Sequence, residues 1–162
     1  MRIFAFIRTL VVGALFILLW TWWVPRWMGW PLHVVHAEAW AVFGVGLGLS
    51  IWCALEFAFR GLGTPAPFDP PRRLVISGLY RFVRNPMYVA FGIALAGEAW
   101  LTGRIEIIYL LLVLWVAVSV LVIAYEEPTL RRKFGDDYIE YCRNVRRWIP
   151  RLRPFDKAGS AA

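Results

Sequence analysis

A short motif and a distant pair of acids carry the side chains best suited to chemistry in this chain. Arg84, Asn85 and Pro86 stand directly before one apolar run, and Glu126 and Glu127 stand directly after another. Charge at the ends of hydrophobic segments is costly and therefore usually functional. Pro86 suits the first turn of a helix, where free N–H groups and Arg84 together attract an anion. The two carboxylates, in turn, require a cationic partner.

Each group also has a simpler interpretation. Arg84 alone would be expected to meet a lipid phosphate at the membrane surface. The apolar pattern puts Glu126 and Glu127 at a helix C-terminus, where negative charge opposes the helix dipole. Their partner is then either Arg84 with Arg147 or a bound cation. The simpler alternative is a cytoplasmic cap with Arg131 and Lys133, which suits one glutamate better than both. Because helix neighbours diverge by ~100°, one glutamate should face the bundle and the other water.

Four apolar runs must position these groups. Of the 162 residues, 60% are hydrophobic, and the mean hydropathy is +0.57, which favours a membrane protein. The runs cover residues 3–24, 39–59, 87–103 and 105–125. The third is shorter and contains Glu98, so we expect a spanning helix that is tilted, broken or partly packed inside the bundle. The fold class predicted is an all-α integral membrane protein with four transmembrane helices.

Positive charge predicts the orientation of these helices. With four crossings, sixteen of the eighteen Lys and Arg residues fall on one side, and only Arg26 and Arg104 fall on the other. Both termini are therefore expected in the cytoplasm, and the short loops favour a bacterial or archaeal inner membrane. The net charge of +7 reflects this topology, so no nucleic-acid partner is expected. The run 3–24 lacks a nearby small-residue cleavage site, which favours a retained helix over a signal peptide.

The segments outside the apolar runs have their own patterns. The connection over residues 60–85 is rich in Gly and Pro and includes Gly61 and Gly63. After Tyr125 the apolar residues recur at helical spacing: Leu130, Phe134, Tyr138, Tyr141, Val145 and Trp148. This stripe predicts one amphipathic cytoplasmic helix that ends at Pro150. Residues 158–162 are expected to be disordered, and Gly44, Gly46 and Gly48 to form a close-packing face.

Several of these segments together resemble a known family. The block GTPAPFDPP, the segment LVISGLYRFVRNPMY, the EE pair and the segment FGDDYIEYCRNVRRWIP follow one another over roughly residues 60–150. Their order and spacing resemble the membrane methyltransferase superfamily of isoprenylcysteine carboxyl methyltransferases and phospholipid N-methyltransferases. The resemblance implies one membrane-embedded domain over residues 1–157. It also implies S-adenosylmethionine as methyl donor, bound at the cytoplasmic side, and a lipid or lipid-like acceptor.

The resemblance also implies roles for individual residues. Those implied to bind the cofactor are Arg84, Asn85, Pro86, Tyr88, Glu126, Glu127, Tyr138, Tyr141, Gly61 and Gly63. Those implied in catalysis are Glu126, Glu127 and Arg147. The family pattern is Arg-His-Pro-x-Tyr-x-Gly. In this chain Asn85 stands at the position of the His and Ala90 at the position of the Gly. Because Asn does not titrate, this position has no acid–base role, which weakens the assignment to prenylcysteine substrates more than the cofactor assignment.

The sequence does not identify the chemical class of the methyl acceptor. A carboxylate acceptor needs a positioning cation, for which Arg147 is the candidate, whereas an amine acceptor needs a base, for which a glutamate is the candidate. Two other functions remain: a sterol-reductase-like enzyme that uses NADPH, disfavoured by the short chain and the EE pair, and a non-catalytic membrane protein for binding or transport. The two cysteines, Cys53 and Cys142, do not imply a metal site.

Overall fold

The computed structural model describes residues 23–29, 34–61 and 72–156. Most of the first apolar run, the proline-rich loop with Gly63, and the tail 158–162 lie outside these ranges. Throughout the described ranges the regular structure is helical: α1 Val24–Trp27, α2 Trp40–Glu56, α3 Pro86–Thr102, α4 Ile105–Leu121, α5 Glu127–Phe134 and α6 Asp136–Asn144. A 3-10 turn, Ala37–Ala39, precedes α2, and π-helical turns prolong α2 and α4.

Two of the described helices are long and apolar enough to cross a bilayer. The first covers Ala37–Gly61 over 25 residues, and the second covers Ile105–Phe134 over 30 residues. Val113, Val116 and Val120 on α4 are all more than half exposed. Outward-facing apolar side chains of this kind need lipid around them, so this is a membrane protein. The third run forms one unbroken helix of 17 residues, α3, which is about 25 Å long.

Glycines bring α2 and α3 into backbone contact. A Cβ on Gly46 would lie 2.3 Å from the Ala94 nitrogen, and one on Gly97 would lie 2.5 Å from the Phe43 nitrogen. No larger residue fits at either position unless the helices separate. Among the described residues, Gly46 is the glycine of the predicted close-packing face in α2 that makes such a contact, since a Cβ on Gly44 or Gly48 would meet no described atom of a neighbouring element within 4 Å.

The glutamate pair does not lie at a helix C-terminus, and that expectation was wrong. One continuous helix runs from Ile105 to Phe134. Pro128 lacks an N–H and would clash with the carbonyl four residues earlier in a regular α-helix. The π-helical turn Val122–Glu126 directly precedes this proline, and its wider spacing lets the helix continue. The helix dipole therefore gives no local reason for the glutamates to require a cation.

The prediction that one amphipathic helix carries the whole C-terminal apolar stripe was also wrong. The stripe is divided between α5, which continues the long helix, and α6, and Gly135 separates the two with φ 53°. A positive φ favours glycine and interrupts helical geometry. Asp136 and Asp137 then begin α6, where acids suit a helix N-terminus. The helix ends at Asn144 rather than at Pro150.

After α6 the chain turns back along the segment that leads into α3. Backbone hydrogen bonds join Arg84 N to Arg146 O, Arg151 N to Phe82 O, and Phe155 N to Arg81 O, each 2.9 Å long. The order of these pairs makes the two segments antiparallel. We call residues 145–156 the C-terminal strap. It brings Arg147 to Asn85 at the start of α3 and to Glu127 at the start of α5, and it brings Trp148 to Trp115 in the middle of the apolar run 105–125.

Candidate functional site

Glu127 is the centre of a charged cluster built from three segments. Arg147 donates from Nε to Glu127 Oε1 at 2.6 Å and from Nη2 to Oε2 at 3.0 Å. Arg84 Nη1 lies 3.2 Å from the same Oε1. The side chains of Glu127 and Arg84 are 7% and 11% exposed, and that of Arg147 is 32% exposed. One carboxylate therefore pairs with two guanidinium groups, which leaves the triad with a net positive charge, and the two-bond geometry orients Arg147.

Arg84 has further contacts that fix its position. Its Nη1 also donates to Cys142 Sγ at 2.7 Å, and its backbone N–H donates to Arg146 O. Its Nε is buried and has no hydrogen-bond partner among the described residues. A buried N–H without an acceptor costs free energy. Arg84 thus retains one donor that a bound acceptor could satisfy.

Glu126 has a different environment from its neighbour. Tyr88 donates its hydroxyl to Glu126 Oε1 at 2.6 Å. Glu126 is half-buried whereas Glu127 is buried, so the two side chains diverge as helix neighbours should. Among the described residues no guanidinium or ammonium group forms an ion pair with Glu126. Its carboxylate therefore has capacity for a cation that the described part of the chain does not supply.

The start of α3 places three of the predicted residues beside this cluster. Pro86 occupies the first helical turn, where its missing N–H costs nothing, and Asn85 precedes it without capping the helix through its side chain. Instead, Asn85 Nδ2 donates to Arg147 O at 3.3 Å. Tyr88 follows on the same turn. Asn85 therefore holds the strap against α3, an amide role that needs no titration.

Tyr138 and Tyr141 lie in a buried cluster behind the charged groups. Both are 3% exposed and pack with Val145 and Phe155. The Tyr141 hydroxyl donates to Tyr80 O at 2.6 Å. Burial raises the pKa of both tyrosines above the usual value. Their contacts give them a structural role, and their predicted binding of a cofactor stays a prediction.

The predicted glycine pair is only partly described. Gly61 ends the π-helical extension of α2, and its carbonyl accepts hydrogen bonds from the backbone N–H groups of Arg72 and Arg73, at 2.8 and 3.3 Å. This closes the base of the loop. Gly63 lies outside the described residues. These contacts tie Gly61 to the loop rather than to the charged cluster, so its cofactor role stays a prediction.

The rings of Tyr88, Trp148 and Trp115 lie in series beside the charged cluster, and Trp115 is not among the residues that the motifs indicate. The rings of Trp115 and Trp148 have centroids 4.8 Å apart, and those of Tyr88 and Trp148 are 6.4 Å apart. Trp148 belongs to the predicted apolar stripe, but sequence reasoning missed Trp115. Its sequence signal is its position, because it lies in the middle of an apolar run whereas membrane tryptophans usually lie at the ends. Cys142 was also missed, since nothing in the sequence links it to Arg84.

The cluster combines the triad of Glu127, Arg84 and Arg147 with the carboxylate of Glu126, which forms no ion pair among the described residues. Its hydrogen bonds to Glu127 raise the pKa of Arg147 above the usual value, so Arg147 stays charged at every physiological pH. Within residues 23–29, 34–61 and 72–156, no group of three or more His, Cys, Asp or Glu side chains could hold a metal ion. The arrangement suits an organic ligand that carries both positive and negative charge.

Comparison with known proteins agrees with the family suggested by the motifs. The sequence profile described as "Phospholipid methyltransferase" matches residues 32–137. A probable protein-S-isoprenylcysteine O-methyltransferase from Oryza sativa subsp. indica is 34% identical over 84 residues, which cover 51% of this chain and 44% of that protein. The protein-S-isoprenylcysteine O-methyltransferase of Schizosaccharomyces pombe is 40% identical over 78 residues, 48% of this chain and 33% of that protein.

A relative with a different acceptor matches more of the chain. Methanethiol S-methyltransferase from Pseudomonas deceptionensis is 31% identical over 134 residues, covering 78% of this chain and 44% of that protein. The chain thus spans less than half the length of the curated relatives it matches. No solved structure gives a significant match. Because the family profile covers well over half of the sequence, the chain belongs to the phospholipid methyltransferase family.

Proposed function

We propose that this protein transfers a methyl group from S-adenosylmethionine to a lipid or lipid-like acceptor at the cytoplasmic face of a membrane. The observation that carries the proposal is the different environment of the two adjacent glutamates. Glu127 is neutralised by Arg84 and Arg147, whereas Glu126 accepts a hydrogen bond from Tyr88 and pairs with no described cation. Family membership supports the reaction class.

The residues present suit S-adenosylmethionine. Its ammonium and sulfonium need a carboxylate, which Glu126 provides with one oxygen already oriented by Tyr88. Its carboxylate needs donors, which the buried Nε of Arg84 and the first turn of α3 provide. When bound, the cofactor supplies an electrophilic methyl group, so that transfer depends largely on positioning the acceptor in line about 3 Å away.

The role of the charged triad is to hold donor groups in position, and it transfers no proton. Glu127 holds Arg84 and Arg147 at fixed distances, which keeps their donors directed at the site. Arg147 uses two of its five N–H groups for Glu127, and a third of its side chain is exposed. Its remaining N–H groups can hold an acceptor carboxylate. Glu126, lacking an arginine partner among the described residues, is the group that can take a proton from an amine or thiol acceptor.

The membrane arrangement forms part of the proposal. The charge bias along the sequence supports four spans with both termini in the cytoplasm. We further propose that residues 1–157 form one domain in a prokaryotic inner membrane. Lys and Arg residues are concentrated in α5, α6 and the strap, which are the elements that carry Glu127 and Arg147, so that the cluster would face the cytoplasm. An acceptor dissolved in the bilayer would reach it along α3 and α4.

Binding and transfer experiments on the purified full chain test the proposal. We expect S-adenosylhomocysteine to bind in titration calorimetry, and labelled methyl groups to pass from S-adenosylmethionine to an S-prenylated cysteine or to a phospholipid amine. These two acceptors separate carboxylate from amine transfer, and transfer to methanethiol alone would contradict a lipid-like acceptor. Binding without transfer to any carboxylate, thiol or phospholipid-amine probe would favour a non-catalytic protein. No binding of either cofactor form would defeat the proposal.

A further inference from the structure

The C-terminal strap holds two groups of the candidate site without regular secondary structure of its own. Arg147 and Trp148 lie beyond the end of α6, and the strap contains no helix or strand. Near these two residues, the strap backbone bonds to the start of α3 through Arg146 O with Arg84 N and through Arg147 O with Asn85 Nδ2. A segment held so sparsely needs further attachment to keep a side chain in one place.

That attachment lies further along the strap. Arg151 N donates to Phe82 O and Phe155 N donates to Arg81 O. Arg81 Nε donates in return to Phe155 O at 3.1 Å, and its guanidinium pairs with Asp156. The strap is thus tied at both ends to the connection that leads into α3, with Arg147 and Trp148 between the ties.

Phe155 is the apolar part of this attachment. It is 8% exposed and belongs to the buried cluster of Tyr138, Tyr141 and Val145. Its ring lies 6.3 Å from that of Tyr141 and 6.0 Å from the guanidinium carbon of Arg151. Burying a phenylalanine side chain is favourable because it removes a large apolar area from water. Leu152, by contrast, is fully exposed on the same strap.

We infer that Phe155, with Arg81, is a positioning residue of the site, which fixes Arg147 against Glu127 and Trp148 against Trp115 through the strap. The family profile ends at residue 137, so the strap lies beyond the matched region, whereas Arg81 and Phe82 lie inside it. The inference rests on the proposed function for its effect on cofactor binding. Release of Phe155 should free the strap, loosen the Arg147–Glu127 pair and expose the half-buried Cys142, which packs against the same cluster.

The test uses the full chain in detergent or nanodiscs and two measurements. One is the affinity for S-adenosylhomocysteine by calorimetry, and the other is the rate of Cys142 alkylation by a maleimide, read by peptide mass spectrometry to separate it from buried Cys53. We expect Phe155→Ala to weaken binding roughly tenfold, as displaced site groups do, and to speed alkylation severalfold. Phe155→Leu should restore both, and Leu152→Ala should change neither.

The outcomes separate this inference from the proposed function. If the wild-type chain binds S-adenosylhomocysteine and Phe155→Ala binds it equally well, the inference is overturned and the proposed function stands. If the wild-type chain does not bind, the proposed function falls, and the alkylation rates decide whether Phe155 holds the strap: an unchanged rate in Phe155→Ala would overturn the inference as well. Should Phe155→Ala fail to fold, Arg81→Gln removes the tie to Phe155 O and Asp156 while keeping the buried ring. Unchanged affinity and alkylation in that variant would likewise overturn the inference.

Discussion

Arg147 binds both oxygens of Glu127, at 2.6 and 3.0 Å, although twenty residues and two helices separate them in the chain. Arg84 reaches the same carboxylate from a third segment. A two-bond contact between a guanidinium and a carboxylate fixes direction as well as distance. The start of α3, the long helix and the C-terminal strap are therefore joined at one carboxylate.

Removing the charge at this junction should destabilise the protein. In Glu127→Gln, Arg84 and Arg147 remain beside each other without their anion. We expect a loss of about 3 kcal/mol, the lower end of the range for breaking a buried pair, because Arg147 stays one-third exposed. Thermal unfolding in detergent measures it. The control is Glu140→Gln on the exposed face of α6, and an equally small effect of both would show that the triad contributes little.

A second prediction concerns the contact between α2 and α3. Gly46→Leu places side-chain atoms where the Ala94 backbone lies, so the helices must separate. We expect a loss of about 1–3 kcal/mol or more, as for other overpacked cores. Gly44→Leu is the matched control, since a Cβ there would meet no described atom of a neighbouring element within 4 Å. Unfolding temperatures that fall equally in both variants would contradict the close packing.

The sequence predicts the spans and the charged residues better than it predicts the connections between them. The apolar runs at 39–59 and 105–125 correspond to the long helices, because continuous hydrophobicity over a bilayer's thickness has few other solutions. The grouping of Arg84 with the glutamates is one of the alternatives that the sequence indicates, because buried charge needs a partner. The two arginines pair with Glu127 and not with Glu126 because of the direction in which the helix presents each side chain. The π-helical turn before Pro128 changes that direction.

The C-terminal region shows why the rest was not predictable. Its apolar stripe continues through Gly135, and the periodicity gives no sign that this glycine adopts a positive φ. Asp136 and Asp137 are the available signal for a new helix. The strap is attached in part through backbone N–H and carbonyl groups at Arg81, Phe82 and Arg84. Backbone pairing of this kind leaves no pattern in the side chains.

The third prediction is a pH dependence set by Tyr141. Burial raises its pKa in the folded protein, so its contribution to stability is complete below the unfolded value of about 10 and is lost as the pH rises beyond it. Tyr141→Phe removes the hydrogen bond to Tyr80 O, which should cost about 1 kcal/mol at neutral pH. The same change should make the alkaline decline shallower. Unfolding temperatures between about pH 8 and 11 test both effects.

Since Tyr138 and Tyr80 are buried tyrosines with raised pKa as well, the alkaline decline should be reduced in Tyr141→Phe and not abolished. A matched control is Tyr125→Phe, at an exposed tyrosine at the end of the apolar part of the long helix. An identical alkaline slope in wild type and Tyr141→Phe would show that Tyr141 does not contribute to it.

The last prediction separates the two glutamates by function. Glu126→Gln leaves the triad around Glu127 intact and keeps an acceptor oxygen for Tyr88, but removes the carboxylate charge that no described cation neutralises. If Glu126 binds a cofactor cation, the variant should bind S-adenosylmethionine more weakly by about 1.5–3 kcal/mol, roughly ten- to a hundredfold. Its unfolding temperature should change far less than that of Glu127→Gln. Glu106→Gln, exposed at the opposite end of the same helix, is the matched control.

Comparing the two forms of the cofactor then locates the contact. S-Adenosylhomocysteine has the ammonium but lacks the sulfonium charge, so a larger loss for S-adenosylmethionine in Glu126→Gln would indicate that Glu126 faces the sulfonium. Equal losses would indicate the ammonium. Calorimetric affinities of Glu126→Gln that match those of wild type for both compounds would contradict any direct charge contact and leave Glu126 as a partner of Tyr88 alone.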